Sequence, residues 1–424
     1  MCPLLAYAFE SAYFSANFIP KPLMQFGLIR ERKNPPDHRV VLSPKACQKV
    51  IQTYPGARIQ VEPSPVRAFS DAEYRDAGIP VGAGMEACEV LLGVKEVPID
   101  ALIPGKKYFF FSHTIKKQPY NRALLQAILR KDIALYDHEV LTDTRGKRLV
   151  AFGRYAGIVG AYNGIRTFGL KTGAFQLPGA GSLPDQEALI RELRQVKLPP
   201  VKILLTGQGR VGSGAREMLD GMGLRKVGVV EFLKQDFDVP VYCQIDVLTY
   251  NRRKDGGQGS KADFFENPEA YRSDFFRFAR VADLFIAGHF YGQGAPCLIT
   301  REEARHPDFR ICAIADISCD IDGPVAPTIR ASTIADPIYG YDPVSESETD
   351  FRDPGAIAVM AVDNLPAELP REASEGFGDA FLRHVIPAFF NGDADGILRR
   401  AQMTRNGALT PAYAYLEDYV AGRE

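Results

Sequence analysis

Apolar residues in this chain follow two alternating rhythms, short unbroken runs and longer stretches that repeat near 3.6 residues. The runs Phe26–Ile29, Ile59–Val61, Val90–Val94, Tyr108–Ser112 and Ile133–Tyr136 read as buried strands. Between them, Ser43-Pro44 opens a helix with cap and first-position proline in the favoured places, and Ala46, Val50 and Ile51 keep its spacing. Asp71–Ala77 and Leu124–Leu129 read as further helices, and Phe152 opens a long, glycine-rich one running toward Leu170. Gln186–Val196 is amphipathic, and Lys202–Thr206, Leu284–Ala287, Ile311–Ala315 and Ile357–Val362 are again buried strands. Helical stretches around Ala380–Phe390 and Ala412–Val420 follow, and Asn251–Lys261, without apolar period, reads as a mobile loop. Strands alternating with helices imply parallel sheets in α/β layers, with ligands at the carboxyl ends of the strands.

The strand Lys202–Thr206 breaks into Gly207-Gln-Gly209-Arg210-Val211-Gly212-Ser-Gly214 and restarts at helical spacing from Ala215 to Leu219. Gly207 permits a tight turn, Gly209 lets the main chain approach a pyrophosphate, and Gly212 lets the helix pack close to the strand while its first amides face phosphate. Arg210 and Val211 belong to the same cradle. A short apolar run, Val227–Val230, ends in Glu231, at about the distance where an acid accepts the adenosine ribose hydroxyls. A carboxylate there repels a 2′-phosphate, which points to NAD and leaves NADP as the alternative.

At 424 residues the chain is too long for one ordinary core. The expected fold class is α/β, two Rossmann-like domains with parallel sheets and an interdomain cleft. Residues 1–24 form an N-terminal arm, with Met24 a plausible start. Residues 25–155, completed by 346–424, form the catalytic domain, and residues 156–345 bind the dinucleotide. A net charge of -1 supplies no basic field for nucleic acid or an anionic membrane, and no run reaches membrane-span length. The seven cysteines are scattered, with no C-x-x-C spacing, which argues against metal sites and disulfides and for a reducing cytoplasm. Oligomeric state is not legible.

Six segments then carry a resemblance. They are Arg30 with Arg39-Val-Val-Leu-Ser-Pro44, Gly93-Val-Lys95-Glu-Val-Pro98, Phe111-Ser-His113-Thr-Ile-Lys116, Ala151-Phe-Gly-Arg154-Tyr-Ala-Gly157, Ala315-Asp316-Ile-Ser-Cys-Asp320, and Val362-Asp363-Asn364-Leu-Pro through Ser374. On these the chain resembles the saccharopine dehydrogenase (L-lysine-forming) and lysine-ketoglutarate reductase family, and more distantly alanine dehydrogenase and transhydrogenase. Gly407–Tyr413 is similar to the end of the reductase half of the bifunctional animal and plant enzymes. The pairing of Gly212 with Gly214 departs from some reductase cradles.

The resemblance implies NAD(P)-dependent oxidoreduction at a secondary amine, interconverting saccharopine with lysine and 2-oxoglutarate, with Lys95 and His113 as the proton-handling pair. Imidazole suits that work near neutral pH, and a lysine desolvated beside other cations gives up its proton more readily. Guanidinium forks suit the substrate carboxylates, which nominates Arg30 and Arg39, then Arg154, with Lys116 as a further contact. Asp316, Asp363 and Asn364 are expected on the nicotinamide side. Two rivals use the same letters, an alanine-dehydrogenase-like enzyme on a smaller substrate and a non-catalytic nucleotide-binding sensor.

Overall fold

The computed structural model describes residues 23–423, so the expected arm lies, up to residue 22, outside the described residues. The first sheet is built from β1 (Met24–Leu28), β2 (Ala57–Val61), β3 (Val90–Leu92), β4 (Lys107–Phe110) and β5 (Ala134–Asp137), all parallel, in the order β2-β1-β3-β4-β5. Its helices are α1 (Pro44–Thr53), α2 (Asp71–Asp76) and α3 (Arg122–Arg130). Ser43 caps α1, its side chain accepting from the Ala46 amide, and Ser70 with Glu73 forms a capping box on α2. Because these strands are parallel, the segments after β1, β3, β4 and β5 leave from one edge of the sheet.

Helix α4 (Gly153–Thr172) carries the chain to a second sheet, preceded there by α5 (Gln186–Gln195). This sheet starts with β6 (Lys202–Thr206), α6 (Arg210–Gly221), β7 (Arg225–Lys226), α7 (Val229–Lys234) and β8 (Val241–Ile245). Then come α8 (Val247–Tyr250), β9 (Asn251–Arg253), α9 (Lys261–Glu266), β10 (Tyr271–Ser273), β11 (Leu284–Ala287), β12 (Ala313–Asp316), β13 (Ile338–Asp342), β14 (Ser347–Thr349) and β15 (Ile357–Met360). The order is β14-β13-β15-β12-β11-β6-β8-β7, with β13 and β14 antiparallel and the others parallel. Strand β6 lies between β8 and β11, so the strand order reverses there, and the glycine turn leaves from that switch point.

Glycines decide how α4 and α6 cross. A Cβ on Gly157 would stand 1.9 Å from the Val211 carbonyl oxygen, and one on Gly214 would stand 1.9 Å from that of Arg154. Gly214, the departure noted in the cradle, is thus a helix-crossing residue. Farther along α4, Gly160 meets Ile317 and Gly164 meets Ala315, which seats the helix on the second sheet.

Three expectations are corrected. The strand read over Val227–Val230 is shifted, because only Arg225–Lys226 pairs with β8 and Val229 already starts α7. The stretch Asn251–Lys261 is no loose loop, since β9 pairs antiparallel with β10 and Ser260 caps α9. Within the segment 346–424 assigned to the first domain, β14 and β15 lie in the second sheet. The return begins with the helix Pro370–His384, whose Phe377 and Phe381 pack on His138. Beyond it, the Met403 amide donates to the Leu135 carbonyl, extending pairing beside β5. No helix among the described residues is long and apolar enough to cross a membrane.

Candidate active site between the two sheets

The glycine turn forms the floor of a cleft of about 700 Å3 lined by Gly207, Gly209, Arg210 and Val211, by Gly288 and His289 after β11, and by Arg148 and Ala151 from the approach to α4. Gly207 has φ +91, and a Cβ there would meet the Gly288 carbonyl oxygen at 2.3 Å. A Cβ on Gly212 would lie 2.1 Å from the Gly207 oxygen, so the first turn of α6 sits directly on the strand end. At Gly209, the N-cap of the twelve-residue α6, a Cβ meets nothing within 4 Å. Two glycines are needed by the fold and the third leaves open space before the helix N-terminus. That arrangement fits the pyrophosphate of a dinucleotide.

Glu231 is not at this cleft. It is the third residue of α7, where its carboxylate accepts from the Gly228 amide at 2.9 Å and lies 3.6 Å from Arg225. The acid in the expected topological place is Asp246, which follows β8, the strand paired directly with β6, and lines the cleft beside Lys261. Its carboxylate is 2.9 Å from the Lys261 ammonium and also caps α8. The signal was present in Val241–Ile245 followed by an acid, and the shorter apolar run before Glu231 masked it.

A second cleft, of about 630 Å3, is lined by Lys33, Asp37, His38 and Lys95 from the first sheet's loops and by Thr333, Ile334, Asp363 and Asn364 from the second sheet's. Lys95 follows β3, and its segment is held by Glu31, whose oxygens accept from the Val94 amide at 2.6 Å and the Lys95 amide at 2.9 Å. The Lys95 ammonium makes no hydrogen bond or ion pair within 4.0 Å among the described residues. Burial, then Arg39 and Lys33, push its pKa down, against Asp37 and Glu96.

His113 follows β4, with its Nε2 3.7 Å from Glu96. Burial first, and then Lys95, lower its pKa, while Glu96 and Glu139 oppose the shift. Glu96 also pairs with Lys33 at 3.3 Å, so one carboxylate bridges the imidazole and a lysine. Glu96, Lys33 and Glu139 were not singled out from sequence, although Glu96 adjoins Lys95.

Arg39 is buried and forked onto Asp37, with Nε and Nη2 donating at 2.9 and 2.6 Å, and Nη2 also reaches Asn364 at 2.8 Å. Its guanidinium lies over Phe152, 4.2 Å from the ring centroid. Burial would raise the Asp37 carboxyl, but the charge and hydrogen bonds of Arg39 outweigh it and hold the group well below the usual range. Much of the expected substrate fork is therefore engaged in tying the loop after β1 to Asn364 across the cleft.

Other expected contacts fall elsewhere. Arg30 is half-exposed and turns toward Glu62 at 3.9 Å, away from the cleft lined by Lys95. Arg154 is drawn to Glu217 on α6, with Nε donating at 2.9 Å, so it ties α4 to α6 rather than facing a substrate. Asp316 is fully buried and accepts from Ser318, Cys319 and Thr328 of its own loop, which leaves it pinning that turn. Lys116 is exposed and acts electrostatically on Asp320 of the second sheet's loop. Asp363 and Asn364 do line the cleft. Among the described residues no His, Cys, Asp or Glu group could hold a metal ion.

Residues 27–159 match the family model described as alanine dehydrogenase/PNT, N-terminal domain. Mus musculus alpha-aminoadipic semialdehyde synthase, mitochondrial, is 30% identical over 95% of this chain and 48% of its own length. The chain thus spans about half the length of that relative. Saccharopine dehydrogenase (NAD(+), L-lysine-forming) of Yarrowia lipolytica is 28% identical over 84% of this chain and 90% of its own. Among solved structures, an L-alanine dehydrogenase overlaps 94% of this chain with a TM-score of 0.64 at 19% identity, covering all of that protein. The transhydrogenase from Sinorhizobium meliloti overlaps 91% of this chain and 99% of its own with a TM-score of 0.57 at 16% identity. These two likenesses establish the shared fold. Beside that shared fold and the N-terminal domain match, the chain is similar to saccharopine dehydrogenases over most of both lengths.

Proposed function

We propose that the chain is an NAD(H)-dependent oxidoreductase acting on a CH–NH donor, and that its reaction is the interconversion of saccharopine with L-lysine and 2-oxoglutarate. The observation that carries this reading is Lys95, an unpartnered, partly desolvated ammonium in a cleft walled by loops of both sheets, with His113 and Glu96 beside it. The relatives' names supply the substrate class. Residues Gly207, Gly209, Arg210, Val211 and Asp246 would hold the dinucleotide, which when bound accepts the hydride from the carbon beside nitrogen.

In the oxidative direction, Lys95 takes the proton of the substrate's secondary amine as the carbon–nitrogen bond becomes an imine. A water then adds to the imine carbon, its proton passing to His113. His113 returns that proton to nitrogen and then takes the carbinolamine hydroxyl proton as the carbon–nitrogen bond breaks and the carbonyl forms, releasing lysine and the keto acid. Glu96 holds the imidazole and stabilises its charged form. Asp363 and Asn364 border the same space. Free thiols at Cys47, Cys88, Cys243, Cys297, Cys312 and Cys319 suit a reducing compartment such as the cytoplasm.

Absorbance of the reduced cofactor, followed with saccharopine, lysine plus 2-oxoglutarate, or alanine, and with NAD or NADP, tests this reading. Turnover with saccharopine and not alanine supports it. Lys95→Met should retain dinucleotide binding and lose at least roughly 100-fold in kcat, the scale of general acid–base catalysis. Turnover on alanine alone favours the smaller-substrate enzyme, and binding without turnover favours a sensor.

A further inference from the structure

His113 is one of few residues other than glycine with positive φ, at 53°. That left-handed conformation is costly for a residue with a Cβ and persists where surrounding bonds over-determine it. The bonds that do so converge on Asp137. At the end of β5, paired with Phe110 at the end of β4, Asp137 is fully buried. Its Oδ2 accepts from the Ser112 amide at 2.8 Å and from the Ser112 hydroxyl. Its Oδ1 accepts from the Glu139 amide at 2.7 Å. The Ser112 hydroxyl in turn lies 2.7 Å from the Thr114 hydroxyl and accepts from the Thr114 amide at 3.3 Å. Both neighbours of His113 are therefore tied, directly or through one hydroxyl, to one carboxylate.

We propose that Asp137 is the positioning residue for His113, holding Ser112 and Thr114 so that the histidine between them keeps the left-handed turn that brings its ring beside Glu96. The proposal rests on the reading of His113 as the acid–base group. An ionised carboxylate suits the post, because all three of its partners are donors. Asparagine would offer one oxygen and set an NH2 against either the Ser112 or the Glu139 amide. Burial chiefly, with a smaller push from the Glu139 charge, outweighs the lowering by the Ser112 and Glu139 bonds and leaves the Asp137 carboxyl raised to about 6. Tyr413 and Tyr415 of the C-terminal segment also face it electrostatically. Tyr419 closes the same region by donating to the Gln118 carbonyl at 2.5 Å.

The test is a double-mutant cycle in the full chain between Asp137→Asn and His113→Ala, read by kcat, NADH affinity and the NMR titration of the His113 imidazole. Asp137→Asn should lower kcat roughly 10- to 100-fold, within the range for a displaced acid–base group, with NADH affinity unchanged. In the His113→Ala background the same change should cost less than about two-fold, since a residue acting only through another is non-additive with it. The His113 pKa should move up in Asp137→Asn, toward about 6.5, as the ring leaves its buried place. Ser112→Ala, which keeps the amide bond to Asp137 and removes the hydroxyl link, is the milder variant and should show the same non-additivity with a smaller loss. Multiplicative losses in the cycle, unchanged kcat, or an unmoved imidazole titration would each overturn the proposal. Full turnover in His113→Ala would instead overturn the functional reading beneath it, and the titration reports on positioning without any turnover.

Discussion

Gly209→Ala separates binding from folding more cleanly than any other change in the cradle. The backbone at Gly209 has φ -77 and ψ -163, which alanine adopts without strain, and the added Cβ meets nothing within 4 Å. Stability of the unliganded protein should therefore stay level or rise by about 0.5 kcal/mol, through lost freedom in the unfolded chain. The new methyl, however, stands in the space before the α6 N-terminus where phosphate oxygens would meet the amides. Losing two charge-assisted hydrogen bonds of about 1.5 kcal/mol each gives about 3 kcal/mol, or roughly 100-fold weaker binding. Gly212→Ala is the control, because its Cβ would lie 2.1 Å from the Gly207 oxygen and force the helix off the strand. That overpacking should cost about 1–3 kcal/mol of stability. The assays are thermal unfolding of the unliganded protein and NADH fluorescence titration. Wild-type NADH affinity in Gly209→Ala, or destabilisation equal to that of Gly212→Ala, would refute the reasoning.

Glu231→Ala should leave NADH affinity unchanged while costing up to about 1 kcal/mol from the lost bond between the Gly228 amide and the Glu231 carboxylate at the start of α7, whereas Asp246→Ala should weaken NADH binding about ten-fold, the worth of one strong hydrogen bond; titration of both variants checks the pair. Arg154→Leu should cost no more than about 1 kcal/mol, as expected of a partly exposed ion pair, and leave the substrate KM unaltered in steady-state kinetics. His138 is buried among aromatic rings with Nε2 donating to the Gly93 carbonyl at 2.9 Å, and burial depresses its pKa to about 4. A base depressed below its unfolded value of about 6.5 contributes stability present above pH 6.5 and lost as pH falls through 4, on the order of 2–3 kcal/mol. Denaturant titrations between pH 7 and 4 should show that loss in the wild type and a flatter profile in His138→Gln.

Strand and helix positions were legible wherever one period ran uninterrupted. The strands Lys202–Thr206, Val90–Leu92 and Met24–Leu28 overlap the runs read at Lys202–Thr206, Val90–Val94 and Phe26–Ile29, although Met24, assigned to the arm, already pairs with Ala57 in β1. The sequence by itself also determined that Lys95 and His113 follow parallel strands, because the order of β3 and β4 is written in the chain. Short or exposed elements were not legible. The run Val227–Val230 carries the same letters whether it is a strand or the start of a capped helix, and only pairing of β7 with β8 at Arg225–Lys226 decides between them. The β9–β10 hairpin escaped notice because its polar strands have no buried face to impose alternation.

What the tertiary structure alone decided is which charges meet. Arg39, Arg154 and Asp316 have the side chains that ligands require, yet Asp37, Glu217 and the turn after β12 reach them first. Asp137 shows the converse, an unremarked acid made consequential because β4 and β5 are adjacent and end together. Local periodicity is governed by neighbours a few residues away, and so a sequence displays it. Ion pairing and pKa depend on distances between segments far apart in the chain, which come into being only when the sheets close on each other.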